Sequence, residues 1–207
     1  NNSSGARSVL YGKTIDHVLE LEVAFSDGSI ATLRDLNAEE LEQACTGDSL
    51  AAQCHRVVRD LAATHAAEVR ARFPRVMRRV MGYNLDEFLD GRFNLAKMIT
   101  GSEGTLAVIL SAKLNLVPLP KAKSVLTIQF DGLLDSLAAT PAILKHRPSA
   151  VEVMDGGILE NTKQSPVFAK LGESFMQGSP GSLLCVEFYG DSAADLPPRM
   201  QALEVEM

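Results

Sequence analysis

Cysteine, long apolar runs and a strong net charge are all scarce in this chain of 207 residues, and each scarcity closes off a class of function. The three cysteines, Cys45, Cys54 and Cys185, are odd in number and show no Cys-x-x-Cys spacing. They suggest neither a disulfide framework nor a thiolate zinc site, and they fit a reducing compartment. No apolar run approaches the length of a membrane span and no charged-then-apolar leader opens the chain. We therefore expect a cytoplasmic protein with no transmembrane segment, reaching a membrane only as a peripheral protein. A formal net charge of -6 and a pI near 5.3 argue against nucleic acid as a partner, because phosphate contacts need a basic surface.

One stretch runs against that balance. From Arg56 to Arg79 seven arginines face only Asp60 and Glu68. Phe73 is the one Phe, Tyr or Trp among them, so a solvated helical face fits better than an RNA-binding patch. The four histidines, His17, His55, His65 and His146, offer no His-x-x-x-His spacing and no Ser-His-Asp order. They read as structural or exposed, and no catalytic base or metal site is identified among them.

What is present is enough apolar residue, 46%, to bury one sizeable core or two small ones. Residues 17–33 alternate apolar and polar around Asp27-Gly28, which predicts a hairpin. Asn37 with Glu40 three residues on predicts a capping box and a short helix. After Asp48-Ser49, the residues Leu50, Cys54, Val57, Val58, Leu61 and Ala62 recur at helical spacing and predict one buried face, with Arg56, Arg59 and Asp60 turned away. Pro74 interrupts, and Val76 to Leu89 reads as irregular or shortly helical. Residues 37–93 thus form a helical insertion between strands.

A strand follows over 105–117, with an irregularity near Ser111, and Pro118 and Pro120 end it. Beyond them the pattern predicts strands at 124–130, 150–154 and 183–189. Helices are predicted at 132–145, capped by Asp131, at 157–163 and at 195–206. Residues 164–182 read as a loop. Strands and helices in this order suggest an α+β sandwich of the split βαβ kind.

The most specific feature is Gly101-Ser102-Glu103-Gly104-Thr105, a glycine-bracketed loop running directly into the apolar segment Leu106 to Leu110. Glycines three apart let the backbone turn tightly and approach a ligand with no Cβ in the way. Four further segments accompany it in order: Asn1-Asn2-Ser3-Ser4-Gly5, Tyr11-Gly12, Gly82-Tyr83-Asn84-Leu85 and the exit Val117-Pro118-Leu119-Pro120. Together they resemble the FAD-linked oxidase family. These are the PCMH-type flavoproteins of the vanillyl-alcohol-oxidase kind, which include D-lactate, glycolate and D-2-hydroxyglutarate dehydrogenases. Asn84 stands where the family usually has Asp, Ala107 where it has Gly, and Leu110 where Thr is common.

The resemblance implies an α+β fold. The C-terminal part of an FAD-binding domain would occupy 1–119, with the insertion at 37–93, and part of a ferredoxin-like substrate (cap) domain would occupy 120–207. It implies a fragment of a long multidomain bacterial member, since the chain opens without Met and closes on a helical pattern with no stop signal. The family's pyrophosphate-cradling loop would then precede Asn1. For the full-length protein it implies hydride transfer from a D-2-hydroxy acid (glycolate, D-lactate or D-2-hydroxyglutarate) to FAD, with the small hydroxy acid as partner and the electron acceptor unassigned. The fragment alone is expected to be inactive and to lack FAD.

The implied cofactor contacts are Asn2, Ser3, Gly5, Gly101, Ser102, Glu103, Gly104, Thr105 and Ile109, with Gly5 supplying an unusual backbone angle. Tyr83 either packs near the flavin or wedges into the core, and Arg78 and Arg79 either set a positive charge near the flavin or form surface salt bridges. The rival reading is a non-catalytic interaction or assembly module of a larger flavoprotein.

Overall fold

The alternating run around Asp27-Gly28 folds into the first hairpin. In the computed structural model, which describes residues 1–207, β1 (Val18–Ala24) and β2 (Ile30–Leu33) pair antiparallel from Leu21 opposite Leu33 to Ala24 opposite Ile30. Gly28 takes φ +82°, the left-handed angle this turn requires. The Asp27 carboxylate closes the turn by accepting from the Ser29 backbone N–H at 2.9 Å and its hydroxyl at 2.6 Å. Those bonds favour the charged form and hold the Asp27 carboxyl below its usual range.

β3 (Val108–Leu114) pairs with the other edge of β1, giving the order β2-β1-β3. The irregularity expected near Ser111 is a bulge: Glu22 faces Ser111 and Val23 faces Ile109, so Leu110 is the extra residue.

Alternation buries Leu21 and Val23 of β1, and a register shift between Val18 and Glu20 lets Val18 join them, against Val58, Phe88, Phe93, Leu95 and Ile99. The helical insertion holds α3 (Ala38–Ala44), α4 (Leu50–Thr64), α5 (Ala66–Arg72) and a 3-10 turn at Leu85–Phe88, and α6 (Leu95–Ile99) follows just past its expected end at residue 93. Asn37 and Glu40 form the reciprocal capping box, each bond 2.9 Å, and Ser49 caps α4 through Ala52 N–H at 3.2 Å.

The buried face of α4 differs from the expected one. Ala52, His55, Val58 and Ala62 face inward, while Val57 and Leu61 are exposed. The histidine replaces them because its ring stacks on Phe93, 5.9 Å between centroids, and its Nδ1 satisfies Ala51 O at 2.7 Å. Apolar periodicity alone overlooks a histidine that buries its polar atoms in this way.

The chain divides into two units: residues 1–5 with 12–117, and residues 6–11 with 118–207. The short helix α1 (Ser8–Tyr11) belongs to the second unit.

In that second unit, β4 (Ala122–Phe130) and β5 (Ala150–Asp155) flank β6 (Ser182–Gly190), which runs antiparallel to both. β4 and β5 are therefore parallel with a strand inserted between them, the split βαβ arrangement. Ile143 of α7 (Leu133–Lys145) and Leu196 and Leu203 of α10 (Leu196–Glu206) close the core over Leu184, Val186 and Phe188.

Two local expectations fail here. Gly132, not Asp131, caps α7, and no side chain makes the capping bond. The expected loop at 164–182 contains α9 (Pro166–Glu173), which follows α8 (Gly156–Lys163): Pro166 sits at the helix start, where a missing N–H costs nothing, and so does not break it. No helix is long and apolar enough to cross a membrane.

Candidate functional site

Residues far apart in sequence meet around one buried asparagine. Asn2 is 2% exposed, and its Oδ1 accepts the backbone N–H of Ile15, in the short helix α2 (Thr14–His17), at 3.0 Å. Its Nδ2 is buried and has no hydrogen-bond partner. Lys97 donates to the carbonyl of the same Ile15, so both backbone polar groups of that residue are held.

Gly101, at φ +88°, lies against Asn2. A Cβ on Gly101 would sit 2.9 Å from Asn2 Cβ and 3.8 Å from Asn84 Nδ2. Asn84 is 1% exposed and donates to the carbonyls of Lys97 at 3.0 Å and Thr100 at 2.8 Å. Asn84 and Lys97 are absent from the sequence-derived site. Asn84 lay inside a quoted motif, and nothing local marks Lys97.

From Gly101 the loop closes on itself. Ser102 is buried, its N–H donates to Ile99 O at 3.0 Å, and its carbonyl accepts from Thr105 N–H at 3.1 Å and Thr105 Oγ1 at 2.7 Å. Glu103 at φ +53° and Gly104 at φ +79° are both left-handed, and a Cβ on Gly104 would meet nothing within 4 Å. The loop thus presents open backbone at Gly104 and a tight fit at Gly101.

The other expected contacts lie outside this cluster. Ser3 is exposed; its hydroxyl donates to Asn1 Oδ1 at 3.1 Å, while its carbonyl accepts from Thr14. Gly5 has no left-handed φ, and a Cβ there would meet nothing, so its expected unusual backbone angle is absent. Ile109 is 47% exposed on β3 opposite Val23.

Beside the cluster, within the same unit, a cleft of about 720 Å³ is lined among others by Lys13, Arg70, Arg79, Asp86, Glu87 and Lys97. Arg79 reaches both oxygens of Asp86, at 2.6 and 2.5 Å, and lies over the Phe73 ring at 5.2 Å. Of the two alternatives for Arg79, this geometry is the salt bridge. The Glu87 carboxyl is pushed above its usual range, first by burial and then by the charge of Asp86, with Lys97 and Lys13 acting against the shift. Of the other arginines in the basic stretch, Arg72 pairs with Glu68, Arg59 with Asp60 and Glu42, and Arg70 with Asp90. Tyr83 is half exposed and hydrogen-bonds Thr105 Oγ1 at 2.9 Å, so it does not wedge into the core.

The site can therefore offer a buried amide donor without a partner, next to a glycine whose missing side chain lets two segments touch. A ligand carrying an acceptor oxygen matches that donor, and leaving the donor unmet costs about 1–3 kcal/mol.

Comparison with known proteins gives the same region a context. No family model matches the chain. D-2-hydroxyglutarate dehydrogenase of Pseudomonas putida is 32% identical over 206 residues, covering 97% of this chain and 20% of that protein. The Escherichia coli protein of the same name is 29% identical over 210 residues, 98% of this chain and again 20% of the relative. D-lactate dehydrogenase of Anaerostipes hadrus matches over 74 residues at 32%, covering 35% of this chain and 16% of that protein. The chain thus spans about a fifth of the length of the D-2-hydroxyglutarate dehydrogenases it matches. Among solved structures, alkyldihydroxyacetonephosphate synthase in two crystal forms covers 100% of this chain and 29% of its own, with TM-scores of 0.52 and 0.51 at 18% and 16% identity, a likeness of fold.

Proposed function

We infer the function from one premise: this chain belongs to the FAD-linked oxidase family, as a segment related to the D-2-hydroxyglutarate dehydrogenases. It is part of an FAD-dependent oxidoreductase acting on a D-2-hydroxy acid of the glycolate, D-lactate or D-2-hydroxyglutarate type. The first unit belongs to the FAD-binding domain and the second to the substrate domain.

The observation that carries this reading is the meeting of Asn2 with Gly101, 99 positions apart, around a donor that the chain itself does not satisfy. The residues fit the cofactor. Asn2 Nδ2 is available to an acceptor oxygen of the dinucleotide, and Gly101 to Thr105 supply main chain that a ligand can approach closely. When bound, FAD supplies the acceptor for the hydride leaving the α-carbon. The part of the protein outside these 207 residues supplies the rest of the cofactor cradle, so the segment alone holds FAD weakly or not at all.

The test is the visible spectrum of the complete natural polypeptide that carries this segment. Flavin bands are expected, as is their anaerobic bleaching by a D-2-hydroxy acid but not by its L-enantiomer. A purified complete protein with no flavin bands overturns the reading.

A further inference from the structure

The glycine loop adopts a conformation that its own sequence does not explain. Three of the four residues from Gly101 to Gly104 are left-handed, and one of them, Glu103 at φ +53°, carries a side chain. A residue with a Cβ stays there only where its surroundings hold it. Packing does not supply the hold, because Glu103, Gly104 and Thr105 are all exposed.

Side-chain hydrogen bonds from one tripeptide do. At the loop entry, Asn84 donates to Lys97 O at 3.0 Å and Thr100 O at 2.8 Å, fixing the end of α6 from which Gly101 departs. At the loop exit, the Tyr83 hydroxyl meets Thr105 Oγ1 at 2.9 Å. Thr105 gives its single hydroxyl proton to Ser102 O at 2.7 Å, so Tyr83 is the donor in that pair. Gly82, at φ +77°, makes the bend that precedes these two consecutive side chains, which reach opposite ends of the loop. Asn84 must be an amide for this arrangement, since both its bonds are given to carbonyls and a carboxylate has no proton to give.

We propose that Gly82-Tyr83-Asn84 is a brace that presets the 101–105 loop for the dinucleotide, with Tyr83 and Asn84 as positioning residues. This rests on the FAD reading for its purpose, though not for its geometry. A loop held in its binding shape before the ligand arrives avoids the ordering cost at the moment of binding.

The experiment uses the complete polypeptide and two readouts. In FAD-free protein, hydrogen exchange is followed at the amides of Ser102 and Thr105, whose N–H groups bond Ile99 O and Ser102 O. In parallel, FAD affinity is measured by quenching of flavin fluorescence. Tyr83→Phe keeps the ring and removes only the donor. It is expected to speed exchange and raise the FAD Kd about fivefold, the effect of one ordinary hydrogen bond. Thr105→Val removes that bond and also its own bond to Ser102 O, so its loss should be the larger, and the double variant should lose no more than Thr105→Val alone, because the Tyr83 bond is shared. Asn84→Asp should weaken FAD binding more than tenfold, since it loses two bonds.

Wild-type exchange and affinity in Tyr83→Phe, or fully additive losses in the double variant, would overturn the brace. Should the wild-type complete protein take up no FAD while Tyr83→Phe still loosens the loop, the cofactor reading fails and the brace stands as a loop constraint. The two failures are thereby distinguishable.

Discussion

Each unit holds a polar cluster, buried in the first and partly exposed at Arg7 in the second, and the two differ in how they close. In the second unit Glu187 of β6 takes Arg7 Nε and Nη2 on its two oxygens at 3.0 and 3.1 Å, with its side chain 12% exposed. Ser149 bonds the Glu187 carbonyl through both its N–H, at 2.7 Å, and its hydroxyl, at 2.8 Å, and the Arg7 guanidinium lies over the Tyr189 ring. The pairing holds Arg7 above its ordinary pKa, mainly through the hydrogen bond to Glu187.

In the first unit the cluster is made of amides, main chain and the Lys97 ammonium, with no carboxylate, and Asn2 Nδ2 is left over. The ion-paired cluster is complete within the chain, whereas the amide cluster is one acceptor short. A carboxylate could not be buried unpaired, but an amide can tolerate a missing partner until one binds. The open cluster is thus where a ligand enters the argument, and the closed one reads as structural.

The largest expected effect comes from removing the close approach on which the open cluster depends. In Gly101→Ala the new Cβ must share space with Asn2 at 2.9 Å and also hold a left-handed φ. We expect a loss of about 2–4 kcal/mol of first-unit stability and loss of bound FAD from the complete protein, read by calorimetry and by the flavin spectrum. A fully stable Gly101→Ala protein with wild-type flavin content would break the distinction between the two clusters.

Next in size is Asn2→Leu. It removes the orphan donor and the acceptor for Ile15 N–H in one step, so its effect on stability without ligand should be small, about 1 kcal/mol, while FAD affinity falls more than tenfold. Equal losses of stability and affinity would mean that the asparagine only supports the fold. The control for both is Glu187→Gln. It uncouples the bidentate pair with Arg7 and should lower the melting temperature of the second unit while leaving FAD affinity unchanged.

How much of this was legible in the sequence follows the range of each interaction. Short-range chemistry was readable: the Asp27-Gly28 hairpin, the Asn37–Glu40 box and the individual strands of the second unit all follow from residues within a few positions or from simple alternation. Long-range placement was not. The contact between residue 2 and residue 101 has no local signature and was reachable only through resemblance of whole motifs. Local propensity also misled at α9, where proline and glycine read as breakers, and at α4, where a buried histidine took the place of Val57 and Leu61.

Arg199 shows the same limit. It donates to Tyr189 O at 2.7 Å and Arg147 O at 2.8 Å and stacks over Phe188, joining three chain segments, yet its sequence context is that of any exposed helical arginine.

The smallest lever lies at Glu87, whose N–H bonds the carbonyl of Asn84 at 3.2 Å and whose carboxyl faces the cleft beside the open cluster. Its pKa is raised in the folded state, chiefly by burial, so the folded protein binds more protons than the unfolded chain over the window between the two values. Stability must then fall as pH rises from the ordinary glutamate value of about 4.3 through the raised one, and the cost is complete above that window. Glu87→Gln keeps the shape and cannot ionise. It should therefore be more stable than the wild type above the window, by at most about 1 kcal/mol because the group is half exposed and screened, and should lose that advantage below it. Melting temperatures of both proteins followed from about pH 4 to about pH 8 test this. If Glu87→Gln is instead the less stable protein above the window and the gap closes toward low pH, Glu87 is stabilised as a carboxylate by Lys97 and Lys13, and the open cluster is closed on that side by charge.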